Sequence, residues 1–160
     1  NGRIILMSPP STLHQEVSFT LGRLIGNYFS GKNCKVYLAP FNVRLNLGNN
    51  IKRVEPDISV ICDRTKITPK GCEGSPDFII EVVSPNNKVH DYFTKLNWYS
   101  QAGVKEYWIV DPLVNRIMVY QFSPLSMEEY TFNDIVPVNI WDGKFAIDFK
   151  EIELTNNRDT

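Results

Sequence analysis

The sequence predicts an α/β (α+β) fold in which a mixed central β-sheet is flanked by two helices. Two segments, at about 12–30 and 88–102, space their apolar residues as amphipathic helices do. Residues 77–83 are dense in apolar and β-branched side chains, as in a buried central strand, and further strand-like segments lie around it. The order helix, several strands, helix, strand, strand favours a mixed sheet flanked by these two helices.

Length and composition indicate a single globular domain. The chain has 160 residues, of which 42% are hydrophobic and 22% charged, and this excludes a disordered chain, a collagen-like repeat and a coiled coil. We therefore expect one domain over residues 1–160. Because the chain opens at Asn1 rather than Met, we also expect residues to be missing upstream.

Charge and cysteine content narrow the function classes. A net charge of −1 argues against a basic nucleic-acid coat protein, but not against a nuclease, whose metal-binding acids lower its net charge. Three cysteines without a CxxC pair and two histidines argue against zinc. Free thiols in a reducing compartment, and hence a cytoplasmic location, fit best. No apolar run approaches the ~18–20 residues of a membrane span, so no membrane partner is expected.

The first helix and the strands around it can be read from local patterns. Residues 3–7 predict a short strand, Ser11 is a good N-cap for the helix at about 12–30, and Gly31 ends that helix. The segments after it predict strands at 34–36, 41–47, 51–54 and 57–62, a hairpin turn at Gly48-Asn49-Asn50, and a loop over 63–76.

The second helix and the last strands follow the buried strand at 77–83. The helix at about 88–102 places Val89, Phe93, Leu96 and Tyr99 on one apolar face and ends at Gly103. The remaining segments predict a buried strand at 107–110, a hairpin partner at 116–122, and short strands over 128–153 with turns at Asn133-Asp134 and Asp142-Gly143.

Two carboxylates lie inside strand patterns. Glu81 interrupts the apolar run from Phe78 to Val83, where a carboxylate loses its solvation unless it is paired or metal-bound. The alternative explanation for Glu81 is a salt bridge at the end of the sheet. Asp57 follows Pro56 at a strand start, where an acid is often only part of a turn. On neighbouring strands the two would repel each other, and Mg²⁺ would resolve the repulsion because it prefers oxygen ligands.

At this point the sequence resembles a known superfamily. Pro56-Asp57 followed by Glu81-Val82-Val83 resembles the PD-(D/E)XK nuclease signature, and a longer string is similar to the Uma-two family of predicted restriction endonucleases. The segments that carry this resemblance are Pro56–Val60, Ser75–Pro85, Asp91, Lys95, Tyr99 and Ala102–Pro112.

The resemblance implies a restriction-endonuclease-like core and a set of site residues. Asp57 and Glu81 match the metal-binding acids, and the backbone carbonyl of Val82 matches a further ligand position. The superfamily lysine is replaced by Val83, which cannot contact an attacking water. The family is thought to recruit a lysine from the following helix, and Lys95 fits, with Lys88 as a weaker stand-in. The alternative is an exposed Lys95 paired with Asp91 four residues earlier.

Other residues are candidates for accessory roles. Superfamily members often place an acid on the first helix, which here would be Glu16, while His14 lies nearer the apolar face of that helix. Tyr99, one helical turn beyond Lys95, is a further candidate.

Together these observations predict a Mg²⁺- or Mn²⁺-dependent endonuclease that hydrolyses DNA phosphodiester bonds without an organic cofactor. Asp57, Glu81 and Lys95 are its expected catalytic residues. A homodimer is expected because duplex cleavage needs two sites, which C2 symmetry supplies most simply. The alternative is a catalytically inactive module that keeps the nuclease fold to bind nucleic acid or a protein partner. The loss of the in-strand lysine at Val83 and the neutral charge favour that alternative.

Overall fold

A six-stranded mixed sheet forms the centre of the protein. The computed structural model describes residues 9–85 and 89–154, so the strand predicted at residues 3–7 lies outside the described residues. The helices are α1 (Thr12–Phe29) and α2 (Val89–Ala102), and the strands of the central sheet are β1 (Lys35–Leu38), β4 (Ile58–Ile61), β7 (Phe78–Val82), β8 (Glu106–Asp111), β9 (Arg116–Phe122) and β10 (Leu125–Tyr130). Their order across the sheet is β1-β4-β7-β8-β9-β10.

The two helices cover opposite faces of this sheet, which confirms the predicted architecture. Strands β7 and β8 are parallel and α2 connects them, whereas the other neighbours pair antiparallel. The apolar stripe of α1, including Val17 and Leu21, packs with Ile80 on one face. Tyr99 of α2 packs with Ile79 on the other face. Alternate residues of β7 therefore enter two different cores.

Helix α1 begins where its cap predicts. The Ser11 Oγ accepts a hydrogen bond from the His14 backbone N–H at 3.1 Å, satisfying one of the free amides of the first turn. Gly31 follows the helix with φ of 72°, a left-handed conformation that glycine adopts at little cost. This start places the first turn of α1 at the end of the sheet where β4 begins.

The segment 63–76 is more ordered than the loop predicted for it. A smaller sheet lies beside α2 and consists of β2 (Val43–Asn46), β3 (Ile51–Val54), β5 (Ile67–Thr68) and β6 (Gly71–Glu73), in the order β3-β2-β6-β5. Gly71 permits this pairing, because a Cβ at this position would lie 2.1 Å from the Asn42 carbonyl oxygen. The predicted hairpin of β2 and β3 is confirmed.

The expectation of three free thiols is wrong for two of them. Cys34 and Cys62 form a disulfide, with Cα atoms 4.0 Å apart, and Cys72 is a buried free thiol. Cys34 and Cys62 directly flank the paired residues Lys35 and Ile61 of β1 and β4, so the antiparallel register brings them together. Nothing in their sequence separation of 28 indicates this.

The C-terminal segment completes the α1 side of the core. Strands β11 (Ile135–Pro137) and β12 (Ala146–Asp148) form a two-stranded sheet, and Val136 and Ile147 are buried against the α1 core. Strand β10 begins at Leu125, three residues earlier than predicted. Neither helix in the described part of the chain is long and apolar enough to cross a membrane.

A buried carboxylate on β8 lies outside the site predicted from sequence. Glu106 is fully buried, and its Oε1 accepts a hydrogen bond from the Asn139 backbone N–H at 3.0 Å. Its Oε2 is buried without a hydrogen-bond partner in the described structure. Burial raises the pKa of this carboxyl group from 4.5 to about 7.

This pKa predicts a stability that falls with rising pH. Because the folded chain holds the Glu106 proton more tightly than the unfolded chain, the stability present below pH 4.5 is lost as the pH rises through about 7. Glu106→Gln should therefore raise the free energy of unfolding at pH 8 by about 3 kcal/mol, and much less at pH 4.5. Urea denaturation across this pH range measures the difference. Glu153→Gln, at an exposed position, is the control. An equal effect of both substitutions at pH 8 would contradict the raised pKa of Glu106.

Candidate active site

Two carboxylates meet where the pairing of β4 with β7 ends. The last backbone pair of this antiparallel ladder is Ile58 with Ile80, so Asp57 and Glu81 are the next residues on the two strands. The Asp57 Oδ2 accepts a hydrogen bond from the Val82 N–H at 2.7 Å, and this side chain continues the ladder in place of a backbone carbonyl. The two sequence-predicted acids are therefore neighbours at one end of the sheet.

Glu81 is held by two donors from α2. Its side chain is buried, and its Oε1 accepts hydrogen bonds from Lys95 Nζ at 3.0 Å and from the Tyr99 hydroxyl at 2.8 Å. Neither bond uses Oε2. The expected proximity of Lys95 to the carboxylates is thus confirmed at Glu81, and the alternative pairing with Asp91 is not the one observed. The catalytic role of Lys95 stays a prediction.

The apolar face predicted for α2 is rotated in the structure. Tyr92 and Tyr99 are buried, while Phe93, which was expected to face the sheet, is 41% exposed. Lys95 follows Tyr92 by three residues and precedes Tyr99 by four, so all three share the inward side of the helix. Lys95 therefore points at the sheet directly.

Tyr92 is a further residue of the site, and the sequence pattern alone does not predict its place there. Its hydroxyl donates to the Val82 carbonyl at 3.4 Å and accepts from the Ser84 N–H at 3.3 Å. The spacing of Tyr92, Lys95 and Tyr99 is that of one helix face, but the aromatic Phe93 beside Tyr92 makes a second face equally compatible with the sequence. Val83, at the position where the resemblance leads one to expect a lysine, is buried, and its N–H donates to the Val110 carbonyl. Its side chain therefore contributes packing and no charge to the site.

Helix α1 brings His14 to Asp57. The His14 Nε2 lies 3.1 Å from the Asp57 Oδ1, and its Nδ1 lies 3.5 Å from the Ser18 hydroxyl. His14, one of the two candidates on this helix, thus contacts the carboxylate pair. Glu16 is half-buried two residues further along.

The ionisable groups of the site perturb one another. Burial raises the pKa of Glu81 most, Lys95 opposes that rise, and the charge of Asp57 adds to it. Burial lowers the pKa of Lys95, but the charge and hydrogen bond of Glu81, with a contribution from Asp57, more than offset it, so the net shift is upward. The hydrogen bond with Asp57 raises the pKa of His14 against the effect of burial. The carboxylates thus stabilise the protonated, positively charged forms of His14 and Lys95.

The donor set at this end of the sheet fits a hard divalent cation. Two carboxylates and the Val82 carbonyl offer oxygen ligands, the type that Mg²⁺ and Mn²⁺ prefer. Two neighbouring acids repel each other and are stabilised by positive charge, part of which Lys95 and His14 already supply. Within residues 9–85 and 89–154, no group of three or more His, Cys, Asp and Glu side chains is arranged to hold a metal.

Comparison with known proteins identifies the family and supports the fold. Residues 1–140 match the Uma2 family, described as “Putative restriction endonuclease”. A protein from Synechocystis sp., described as “Uncharacterized protein slr1290”, is 22% identical over 134 residues, which cover 84% of this chain but only 65% of that protein. A crystal structure described as a “putative nuclease belonging to DUF820”, from Anabaena variabilis, superposes with a TM-score of 0.75 at 21% identity, covering 94% of this chain and 86% of that one. This likeness shows the fold.

The contact of Lys95 with Glu81 generates a stability prediction. Lys95→Met leaves a buried carboxylate without its cation and should lower the free energy of unfolding by about 3 kcal/mol. In the double variant Glu81→Gln/Lys95→Met the loss should be smaller than the sum of the two single losses by more than about 1 kcal/mol. Chemical denaturation at pH 7 measures all three variants.

A matched control is available at the opposite end of the sheet. Lys105 pairs with Asp77 at 2.9 Å, but its side chain is 64% exposed, so Lys105→Met should cost less than about 1 kcal/mol. Strictly additive losses at Lys95 and Glu81 would show that the two side chains are not coupled.

Proposed function

Since the chain belongs to the Uma2 family, described as “Putative restriction endonuclease”, we propose that it is a Mg²⁺-dependent endonuclease that hydrolyses phosphodiester bonds of DNA. One observation carries the proposal: Asp57, Glu81 and Lys95, from three separate elements, converge at one end of the sheet although Val83 occupies the usual lysine position. A helix that packed only for stability would bury an apolar residue here instead of an ammonium group.

In the proposed reaction the oxygen of a water molecule bonds to phosphorus, and the bond from phosphorus to the leaving sugar oxygen breaks. Asp57, Glu81 and the Val82 carbonyl would hold the metal ion. Bound Mg²⁺ would supply charge to the phosphate and a water of lowered pKa. Lys95, which the Glu81 carboxylate keeps protonated, positions the water and offsets the negative charge that develops on the phosphoryl oxygens, and the water gives its proton to bulk solvent. The leaving oxygen finally takes up a proton.

Hydrogen bonds around these groups keep them in place. The Tyr99 hydroxyl and Lys95 share the Glu81 Oε1, so the carboxylate and the ammonium group have fixed relative positions. The Val82 N–H holds Asp57, and His14 approaches its other oxygen. Such preorganisation is the contribution a protein makes to phosphoryl chemistry.

A binding module without catalytic activity is the second candidate. Both Asp57 oxygens already have partners, Val82 N–H and His14, and Glu81 is neutralised by Lys95. A site satisfied in this way holds its charges without a metal. Metal-dependent cleavage distinguishes the two candidates.

Cleavage of supercoiled plasmid is the direct test of the enzyme. We expect nicked and linear products with Mg²⁺ or Mn²⁺ and none with EDTA. Glu81→Gln and Lys95→Met should each lower the rate about 100-fold or more, because each removes charge from the reacting site. Lys105→Met, at the opposite end of the sheet, should cleave like the wild type. Circular dichroism checks that each variant is folded, and an inactive wild type that still binds DNA would favour the binding module.

A homodimer is the expected assembly, because cleavage of duplex DNA needs two sites. Two antiparallel strands present two bonds related by a two-fold axis, which C2 symmetry matches. Edge strand β10 offers apolar material for an interface, with Leu125 76% and Met127 54% exposed. Light scattering at the concentrations that support cleavage should give twice the monomer mass. A monomer at every concentration that still linearises plasmid in one binding event would contradict this.

A further inference from the structure

Arg116 lies at the same end of the sheet as the proposed active site. It is the first residue of β9 and pairs with Asp111 at the end of β8, while Glu81 lines up across the sheet with Ile109 and then Met118. Arg116 is thus two residues further toward the sheet end than Met118. It is also two strands away from β7, roughly 10 Å at about 4.8 Å per strand spacing.

The side chain of Arg116 shares the α2 face with Glu81. Along β9, Ile117 and Val119 enter the α1 core, whereas Met118 and Tyr120 pack against the α2 core. Arg116 precedes Met118 by two residues and therefore lies on the same face of the strand as Met118 and Tyr120. Burial raises the pKa of the Tyr120 hydroxyl and the charge of Arg116 opposes the rise, which agrees with a guanidinium group on that face.

This guanidinium group has no carboxylate partner in the described structure. The Arg116 Nε is buried without a hydrogen bond, and no described acid lies within 4.0 Å of its nitrogens. Asp111, directly opposite, uses its Oδ1 to accept the Leu113 N–H at 3.0 Å. Lys95, by contrast, is paired with Glu81. Arg116 is therefore a cation beside the site that forms no ion pair with any acid among residues 9–85 and 89–154.

We propose that Arg116 binds a backbone phosphate of the nucleic acid, next to the phosphate that is cleaved. This inference rests on the proposed function and adds a substrate-positioning residue to it. Guanidinium groups bind phosphate oxygens through paired N–H donors, and an arginine left without a carboxylate is available for them. With the offset of two residues along β9, the backbone of Arg116 lies about 12 Å from that of Glu81, a separation that suits contact with a neighbouring phosphate of the same strand rather than with the bond being cleaved.

The salt dependence of DNA binding tests this role. The probe is a labelled duplex of random sequence, with Ca²⁺ replacing Mg²⁺ and gels confirming that the DNA stays intact. One lost phosphate contact should lower the slope of log Kd against log salt by about 0.9, equal to about eightfold weaker binding at 0.1 M salt. We expect this loss for Arg116→Met on every duplex sequence, and Arg116→Lys should retain most of the slope.

The control removes the same charge from the other end of the sheet. Lys35 is exposed on β1 and pairs with Ile61, three residues from the site end of β4, and Lys35→Met should leave the slope unchanged. Thermal unfolding of Arg116→Met should show an equal or higher midpoint, because the substitution removes a buried donor that has no partner.

The outcomes separate the two proposals. Duplex binding by the wild type that Arg116→Met leaves unchanged in affinity and slope overturns the role of Arg116 alone. A wild type that binds no duplex overturns both this role and the proposed action on DNA. A lowered slope in Lys35→Met equal to that in Arg116→Met also overturns it, because the effect would then be one of total charge.

Discussion

Glu81 places a carboxylate inside a strand whose five residues are all buried, and the cost of that burial is offset by donors from another element. Both donors, Lys95 and Tyr99, come from one helix and reach the same oxygen. Because they are four residues apart, they fix the rotation of α2 about its axis. This rotation turns Tyr92 inward and leaves Phe93 in solvent. The polar requirement of one strand residue therefore decides which apolar residues of the helix enter the core.

The second carboxylate is fixed by the backbone. Asp57 stands where the β4–β7 ladder stops and accepts the amide that a strand residue would otherwise have bound. Its position consequently depends on the register of the two strands rather than on side-chain packing. One carboxylate held by a helix and another by a strand end give a site that two different parts of the core keep in place.

Local pattern was enough to predict the elements but not their contacts. Helix α1, its Ser11 cap and the β2–β3 hairpin follow from spacing and turn residues, and Glu81 was anomalous in its apolar run. The short strands β5 and β6 were not predicted, because they exist through pairing with β2, far away in sequence. The Cys34–Cys62 disulfide depends on β-sheet register in the same way. On α2, the successive aromatic residues Tyr92 and Phe93 are compatible with two different buried faces of the helix. The contact of Lys95 with Glu81 selects the face that contains Tyr92.

The position of the first turn of α1 has an electrostatic consequence. A helix carries partial positive charge at its N-terminus, where backbone amides have no intrahelical acceptor. In this protein that turn contains no acidic residue, and His14 within it contacts Asp57. The helix dipole thus acts on the carboxylates in the same direction as the His14 and Lys95 side chains. The net charge of −1 does not reflect this local positive potential. A count of charges along the chain therefore does not predict how strongly this end of the sheet attracts an anion.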